Sequence, residues 1–341
     1  MSAQNLRAEL RVRQDGFGTR QIDHHQRFGT VEILDVTPML ATDAAEEGIK
    51  ARTAHITELG AGIVSPVHTI HRDPAGLHII AGTIDGVPVS AVIDALEAGT
   101  LMLADEALFD VIASVVRAVA ALHALPARLA HGALTPSHVV LTRRGRAVLT
   151  NCGFATTLEA LQRNREQYWR EFGLALPPAA SLPQFDQRAD VAQLGAMALA
   201  LALRRQLRSD EYPSRIADLT TAATPTMKGR ISPLRMWLQQ ALQLHPRANF
   251  ECAREAERAL LDAITTSLGR APSPQPIQTM VRLMCGDPAS DGSAVHVEKV
   301  RSVPSPSRDF DPPVTSLGAG DSEPAGAFAL LRAVLPRFRT T

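Results

Sequence analysis

Three histidines, His68, His71 and His78, lie close enough in sequence to suggest a metal centre, because neutral imidazole is a common ligand for transition metals. They fall on two runs that read as strands, where alternation would scatter the rings, so ordinary surface histidines are the simpler reading. The cysteines, Cys152, Cys252 and Cys285, are odd in number and widely spaced. They form neither a disulfide framework nor a zinc pattern, which suits a reducing compartment. Lysine occurs only at Lys50, Lys228 and Lys299. Lys50 follows Glu46 by four residues, the spacing of an ion pair on a helix face. Arg143, Arg144 and Arg146 form a dense basic cluster, read as a solvated hairpin tip, with an anionic partner as the alternative.

The elements that must position any site can be read from periodicity. Phe28 to Leu34 predicts a strand, residues 42 to 59 a helix, and Ile63 to Ile70 and Leu77 to Thr83 two strands around the turn Asp73-Pro74-Ala75-Gly76. From Ala104 to Leu125, Leu108, Val111, Ile112, Val115, Val116 and Val119 recur at helical steps and give one apolar face. A hairpin follows, Val139 to Thr142 and Ala147 to Thr150, turning at Arg143-Arg144-Gly145. Further helices fit Asp190 to Arg205, Pro233 to Leu244 and Glu251 to about Thr265. After about residue 268 prolines, serines and glycines predominate, which reads as a linker. An apolar patch, Phe328 to Leu335, lies within it.

Composition narrows the function classes. Apolar residues make up 45% of 341 residues, which is globular in character. Lysine plus arginine (35) balances aspartate plus glutamate (35), so no excess basic charge points to nucleic acid. Met1 to Asp15 is charged and carries no apolar signal core. The longest apolar stretch, Val191 to Leu203, falls short of the roughly 20 residues that cross a bilayer. A cytoplasmic protein without membrane contact is expected.

Two short motifs flank the hairpin: His131-Gly132-Ala133-Leu134-Thr135-Pro136-Ser137-His138 and Asn151-Cys152-Gly153. In this arrangement the chain resembles the bacterial Ser/Thr protein-kinase family, which carries His-x-Asp-Leu-Lys-Pro-x-Asn, a strand pair and then Asp-Phe-Gly. Asp186-Gln187-Arg188-Ala189-Asp190-Val191, with Leu194-Gly195 after it, resembles the start of the family's central buried helix. His245-Pro246-Arg247-Ala248-Asn249 resembles its late Asp-Pro-x-x-Arg motif. The resemblance covers roughly residues 28 to 265. His71-Arg72-Asp73 matches the three-letter catalytic signature but is followed by Pro74, and reads as a strand-end turn.

The resemblance implies a degenerate member of the family. Ala133 stands where the family has its catalytic aspartate, and Thr135 where it has a lysine that steadies the transferring phosphate. His138 and Asn151 stand at the two magnesium-holding positions. Phosphoryl transfer depends on positioning and charge neutralisation, so these four changes remove most of what lowers the barrier. Gly16-Phe17-Gly18 is too short for a phosphate-covering loop. Leu176-Pro177-Pro178 and Asn249 replace both partners of the family's buried Glu–Arg pair. His131, Gly153 and Asp190 are expected to serve as scaffolding: His131 orients the loop, Gly153 permits a tight turn, and Asp190 caps the buried helix and accepts loop N–H bonds. A small buried thiol is expected of Cys152.

The expected fold is therefore α+β and two-lobed, protein-kinase-like. An N-terminal segment (1–27) precedes a reduced β lobe (28–84), a mainly helical lobe (85–265) and a largely disordered Pro/Ser-rich tail (266–341). The expected function is that of a pseudokinase, binding another protein such as a signalling kinase or its substrate, with no cofactor. The alternative is a divergent enzyme that still binds ATP with magnesium and transfers a phosphoryl or nucleotidyl group.

Overall fold

The computed structural model describes residues 12–57, 62–125, 129–178, 182–224, 232–245 and 247–286. Three strands, β1 (Val12–Asp15), β2 (Gly18–His25) and β3 (Gly29–Val36), pair antiparallel in sequence. Helix α1 (Asp43–Thr57) follows, with Asp43 and Glu46 in its first turn, where the helix dipole favours negative charge. β4 (Val67–Asp73) and β5 (Gly76–Gly82) form a hairpin. Its turn is fixed by the Asp73 carboxylate, which accepts from the N–H groups of Ala75 (2.7 Å) and Gly76 (3.2 Å). The five strands form one sheet in the order β1-β2-β3-β5-β4.

The second lobe begins with β6 (Gly86–Pro88), α2 (Val89–Glu97) and α3 (Asp105–His123). β7 (Val139–Thr142) and β8 (Ala147–Leu149) make the hairpin predicted from sequence, and β6 adds to it as a third strand. Then come α4 (Ala155–Ala160), α5 (Arg165–Phe172), α6 (Gln187–Leu203), α7 (Ile216–Ala223), α8 (Pro233–Ala241), α9 (Ala253–Leu268) and α10 (Gln275–Cys285). Helix α6 is buried on every side from Ala189 to Leu201 and packs against α3, α8 and α9. Such a helix shows no amphipathic stripe because all its neighbours are protein. Gly195 allows α8's end to approach, since a Cβ there would lie 2.9 Å from the Leu242 nitrogen.

Two differences from the sequence expectation concern the borders of the lobes. Residues 12–25, assigned from sequence to a segment ahead of the β lobe, supply β1 and β2, which complete the sheet. The helical lobe does not stop near residue 265: α9 runs to Leu268, and α10 buries Ile277, Met280, Val281 and Met284. Prolines misled the linker reading, because Pro274 and Pro276 sit at the start of α10, where a missing N–H costs nothing. The strand expected from Ile63 starts later, at Val67. Ile63 and Ser65 instead bond β8 through the Leu149 backbone at 2.8 Å each. The Phe328–Leu335 patch lies outside the described residues.

If α10 belongs to the folded lobe, Met280→Ala should destabilise the protein by about 2–5 kcal/mol, as expected for emptying a fully buried site. The urea midpoint measures this; a midpoint equal to that of the parent would place α10 outside the cooperative unit.

Candidate functional site

The site is built on Asp190, in the first turn of α6 and fully buried. Its carboxylate accepts from the His131 N–H (2.6 Å), the Gly132 N–H (2.8 Å) and the His123 ring at Nε2 (2.9 Å). The cap of α6 is Asp186 and not Asp190: Asp186 accepts from the N–H groups of Arg188 and Ala189. Asp190 is thereby left free to hold the loop. A buried carboxylate is tolerable only with such a full set of donors. Three residues on, the Gln193 Oε1 accepts from the Leu134 N–H (2.7 Å). Two side chains of one helix thus fix the backbone of residues 131–134.

His131 donates from Nε2 to the Thr150 carbonyl (3.0 Å) and accepts at Nδ1 from the Ala133 N–H (3.3 Å). These bonds select the neutral ring. Burial drives its pKa down to about 4, against the attraction of Asp190 and with the nearby His138 assisting. The loop ends in a short 3-10 turn, Pro136–His138. Asn151 adopts φ 57°, a left-handed conformation that asparagine tolerates, and Gly153 follows at φ 118°. The folded loop therefore brings His138 and Asn151 to one position, while Ala133 is fully buried and Thr135 lines a groove beside the loop.

What fills that position comes from the small lobe. Arg20 of β2 is 1% exposed and reaches across to the loop. Its Nη2 donates to His138 Nε2 (2.6 Å), while His138 Nδ1 donates to the Ala133 carbonyl (2.5 Å), so His138 is the neutral tautomer. Burial, and then the Arg20 charge, lower the His138 pKa. Turned with its oxygen toward the arginine, the Asn151 carboxamide accepts from Arg20 Nε (3.0 Å) and Nη2 (3.3 Å). Arg20 also pairs with Asp15, and its Nε lies 3.9 Å from Glu32. Burial alone would raise the Asp15 carboxyl, but the Arg20 guanidinium paired with it outweighs that and holds it below the usual carboxylate range.

Beside Arg20 sits Phe17, at the tip of the β1–β2 turn and wholly buried. Its ring meets His138 (4.7 Å between centroids), Phe154 (5.3 Å) and Phe172 (5.3 Å). The flanking glycines permit this descent. A Cβ at Gly16 would lie 2.1 Å from the Glu171 carbonyl of α5, and one at Gly18 would lie 2.0 Å from the Asp35 carbonyl of β3. Gly16-Phe17-Gly18 is therefore a plug at the β1–β2 turn, with one apolar core joining Leu34, Phe17, Phe154 and Phe172.

Elsewhere the candidates separate. Lys50 pairs with Glu46 (2.5 Å) on α1 and is half exposed. His71 and His78 face one another across β4 and β5, where the rings stack (5.1 Å) instead of being scattered by alternation, because cross-strand partners share a face. Both ring nitrogens of His78 are used by Asp35 (2.7 Å) and Asp73 (3.0 Å). Among the described residues no group of three His, Cys, Asp or Glu side chains gathers as for a metal. Cys152 is buried, and burial pushes its thiol up. Leu176 is held by Tyr212, whose hydroxyl accepts from the Leu176 N–H (2.7 Å) and donates to its carbonyl (2.5 Å). That clamp does without a Glu–Arg pair.

A five-stranded antiparallel sheet with one helix, followed by a mainly helical lobe whose buried helix anchors a His-containing loop, is a protein-kinase-like fold. Solved structures bear this out. The crystal structure of the Mycobacterium tuberculosis PknI kinase domain with a cysteine-to-alanine substitution aligns at TM-score 0.53 and 20% identity, covering 74% of this chain and 93% of that one. A double mutant of that domain aligns at 0.52 and 19% identity, covering 74% and 94%. A further crystal structure of the domain aligns at 0.50 and 20% identity, covering 74% and 93%. The sequence matches no protein-family model and no curated protein.

Two outcomes test the scaffold. Asp190→Ala leaves two loop N–H groups and His123 without their charged acceptor, at about 1.5–3 kcal/mol for a bond of this kind. A loss of at least about 3 kcal/mol in urea denaturation is expected. The buried neutral His131 gives the second. Its folded pKa lies below the unfolded value of 6.5. Its contribution is complete above pH 6.5 and is lost as pH falls toward 4, by about 3 kcal/mol. Urea midpoints between pH 7.5 and 4.5 measure the slope, which His131→Gln should flatten.

Proposed function

We propose that this chain is a pseudokinase, a non-catalytic protein-kinase-like module that binds another protein in bacterial signalling. The observation that carries this reading is the Arg20 guanidinium bonded to both His138 and Asn151. Those are the two positions that the kinase resemblance assigns to magnesium. A fixed cation there repels a metal ion, and neither imidazole nor carboxamide brings the negative charge that magnesium prefers. Phe17 supports the same reading from the other side, since its ring occupies the space under the β1–β2 turn that phosphates would need. Ala133 offers no proton acceptor to a substrate hydroxyl.

On this reading no nucleotide or metal is required, and the partner is a protein, such as a signalling kinase or its substrate. The place of action is the cytoplasm. Among the described residues no helix is long and apolar enough to cross a membrane. The old substrate face remains, because the loop that forms it is held by Asp190 and Gln193 of α6 through bonds that do not depend on the nucleotide.

The reading is tested with ATP, with and without magnesium, in a thermal melt. A ligand at 100 times its Kd adds about 2.7 kcal/mol to the folded state, which moves a domain of this size by degrees. No shift is expected, nor any incorporation of labelled phosphate. A shift of several degrees with magnesium, or turnover that stops in Asn151→Ala, would instead favour a divergent transferase.

A further inference from the structure

The arginines of the β7–β8 turn take no part in the Arg20 cleft, and two of them line a separate pocket. It measures about 430 Å³ and lies between α3, the turn and the segment that leads into α10. Helix α10 fixes the turn in place. Gln278 donates from Nε2 to the Arg144 carbonyl (3.2 Å). Gly145 packs so closely that a Cβ there would lie 2.5 Å from the Pro274 carbonyl. Ala121, Ala147 and Ile277 give the pocket small apolar walls. Among the described residues no aromatic side chain lines it, so nothing there stacks on a nucleobase.

The polar groups that remain available are donors. Arg117, Arg144 and Arg146 line the pocket from two elements. Arg117 bonds Glu257 through Nε (3.2 Å), which leaves its two terminal nitrogens over. Arg144 and Arg146 are exposed and have no carboxylate partner among the described residues. Ser114 Oγ accepts from the Ala147 N–H (2.9 Å), so its own proton is left to donate. The carboxylate in the lining, Asp110, is buried and already satisfied. It accepts from Arg270 Nη1 (3.0 Å) and Nη2 (2.9 Å) and from the Ser273 N–H (2.8 Å).

Charge then selects the occupant. Arg270 balances Asp110 and Glu257 balances Arg117, so Arg144 and Arg146 leave two positive charges unopposed. A phosphate monoester on a side chain carries about −1.5 to −2 at neutral pH and offers three acceptor oxygens. A carboxylate brings one charge and is satisfied by a single guanidinium fork. A nucleic acid or an anionic bilayer needs a wider basic face than two unopposed arginines supply. One phosphorylated side chain matches the surplus charge, and a pocket at the lower end of ligand-site volumes holds it.

We infer that this pocket binds a phosphorylated serine or threonine of a partner protein, its phosphate held by Arg117, Arg144, Arg146 and the Ser114 hydroxyl. This names the chemical mark on the partner of the proposed module, and it rests on that reading. It uses no residue of the Arg20 cleft.

The test uses the full chain and a degenerate pool of capped hexapeptides with a central phosphoserine or phosphothreonine, read by fluorescence anisotropy. The phosphorylated pools should bind at least tenfold more tightly than the same pools without phosphate. Arg144→Ala and Arg146→Ala change exposed side chains and leave the core intact. Each should weaken binding roughly tenfold, the effect of one charge-assisted hydrogen bond. Arg143→Ala, on the same turn but outside the pocket and paired with Asp85, should bind as the parent does. Inorganic phosphate, AMP, a single-stranded oligonucleotide and phosphatidylserine vesicles are run beside the pools. Four results would overturn the pocket assignment: no preference for phosphate, binding that Arg144→Ala and Arg146→Ala retain, equal loss in all three variants, or tighter binding of any of those four probes. Each leaves the non-catalytic reading intact. Labelled phosphate passed from ATP to the bound peptides, and stopped by Asn151→Ala, would overturn that reading and leave the pocket standing.

Discussion

A guanidinium taken out of water must find acceptors, because its desolvation costs several kcal/mol unless hydrogen bonds and opposite charge replace the lost solvent. Arg20 imposes that condition on the protein. Its needs are met by Asp15 from its own hairpin, with Glu32 of β3 nearby, and by His138 and Asn151 from the other lobe. Glu32 in turn pairs with Arg13 (2.7 Å). Two carboxylates and two guanidiniums of β1–β3 thus form a set with no net charge, and Arg20 links it across the cleft to His138 and Asn151. The tautomer of His138, the turn at Asn151 and the descent of Phe17 all follow from this cross-lobe arrangement.

The loop beneath it is fixed in another way. Asp190 and Gln193 hold the backbone of residues 131–134 from one buried helix, and His123 ties that helix to α9 by accepting from the Ala253 N–H (3.0 Å). None of these bonds involves a phosphate or a metal. Shape and charge are therefore separable here: the backbone of residues 131–134 is specified by side chains of α6 and not by the groups that meet Arg20. The side chains of Ala133, Thr135, His138 and Asn151 take part in none of those bonds.

Legibility in the sequence followed the same division. Helix α3 and the β7–β8 hairpin were readable because their apolar faces keep a regular period, and the motif spacing on either side of the hairpin gave the fold. β2 was not readable. Its residue Arg20 points into the protein, and a charged residue at an interior position breaks the alternation by which strands are recognised. The pairing of Arg20 with His138, 118 residues away, left no local trace. Phe17 does carry a signal, an aromatic ring between two glycines, which fits a buried plug as well as it fits a phosphate-covering turn. In α10 the spacing of Ile277, Met280, Val281 and Met284 is helical, and nearby prolines obscured it.

His138 and Asn151 also make more sense together than singly. An aspartate at 151 would bond Arg20 at least as well as asparagine does, so charge balance with Arg20 does not by itself explain Asn151. The explanation lies in the neighbours: Asp15 and Glu32 already neutralise Arg20 and Arg13, and a third carboxylate would leave a net negative charge buried beside Phe17. The same holds for His138, whose neutral ring accepts one bond from Arg20 and returns one to the Ala133 carbonyl. Neutral acceptors at positions 138 and 151 therefore suit an arginine that brings its own carboxylates into the cleft.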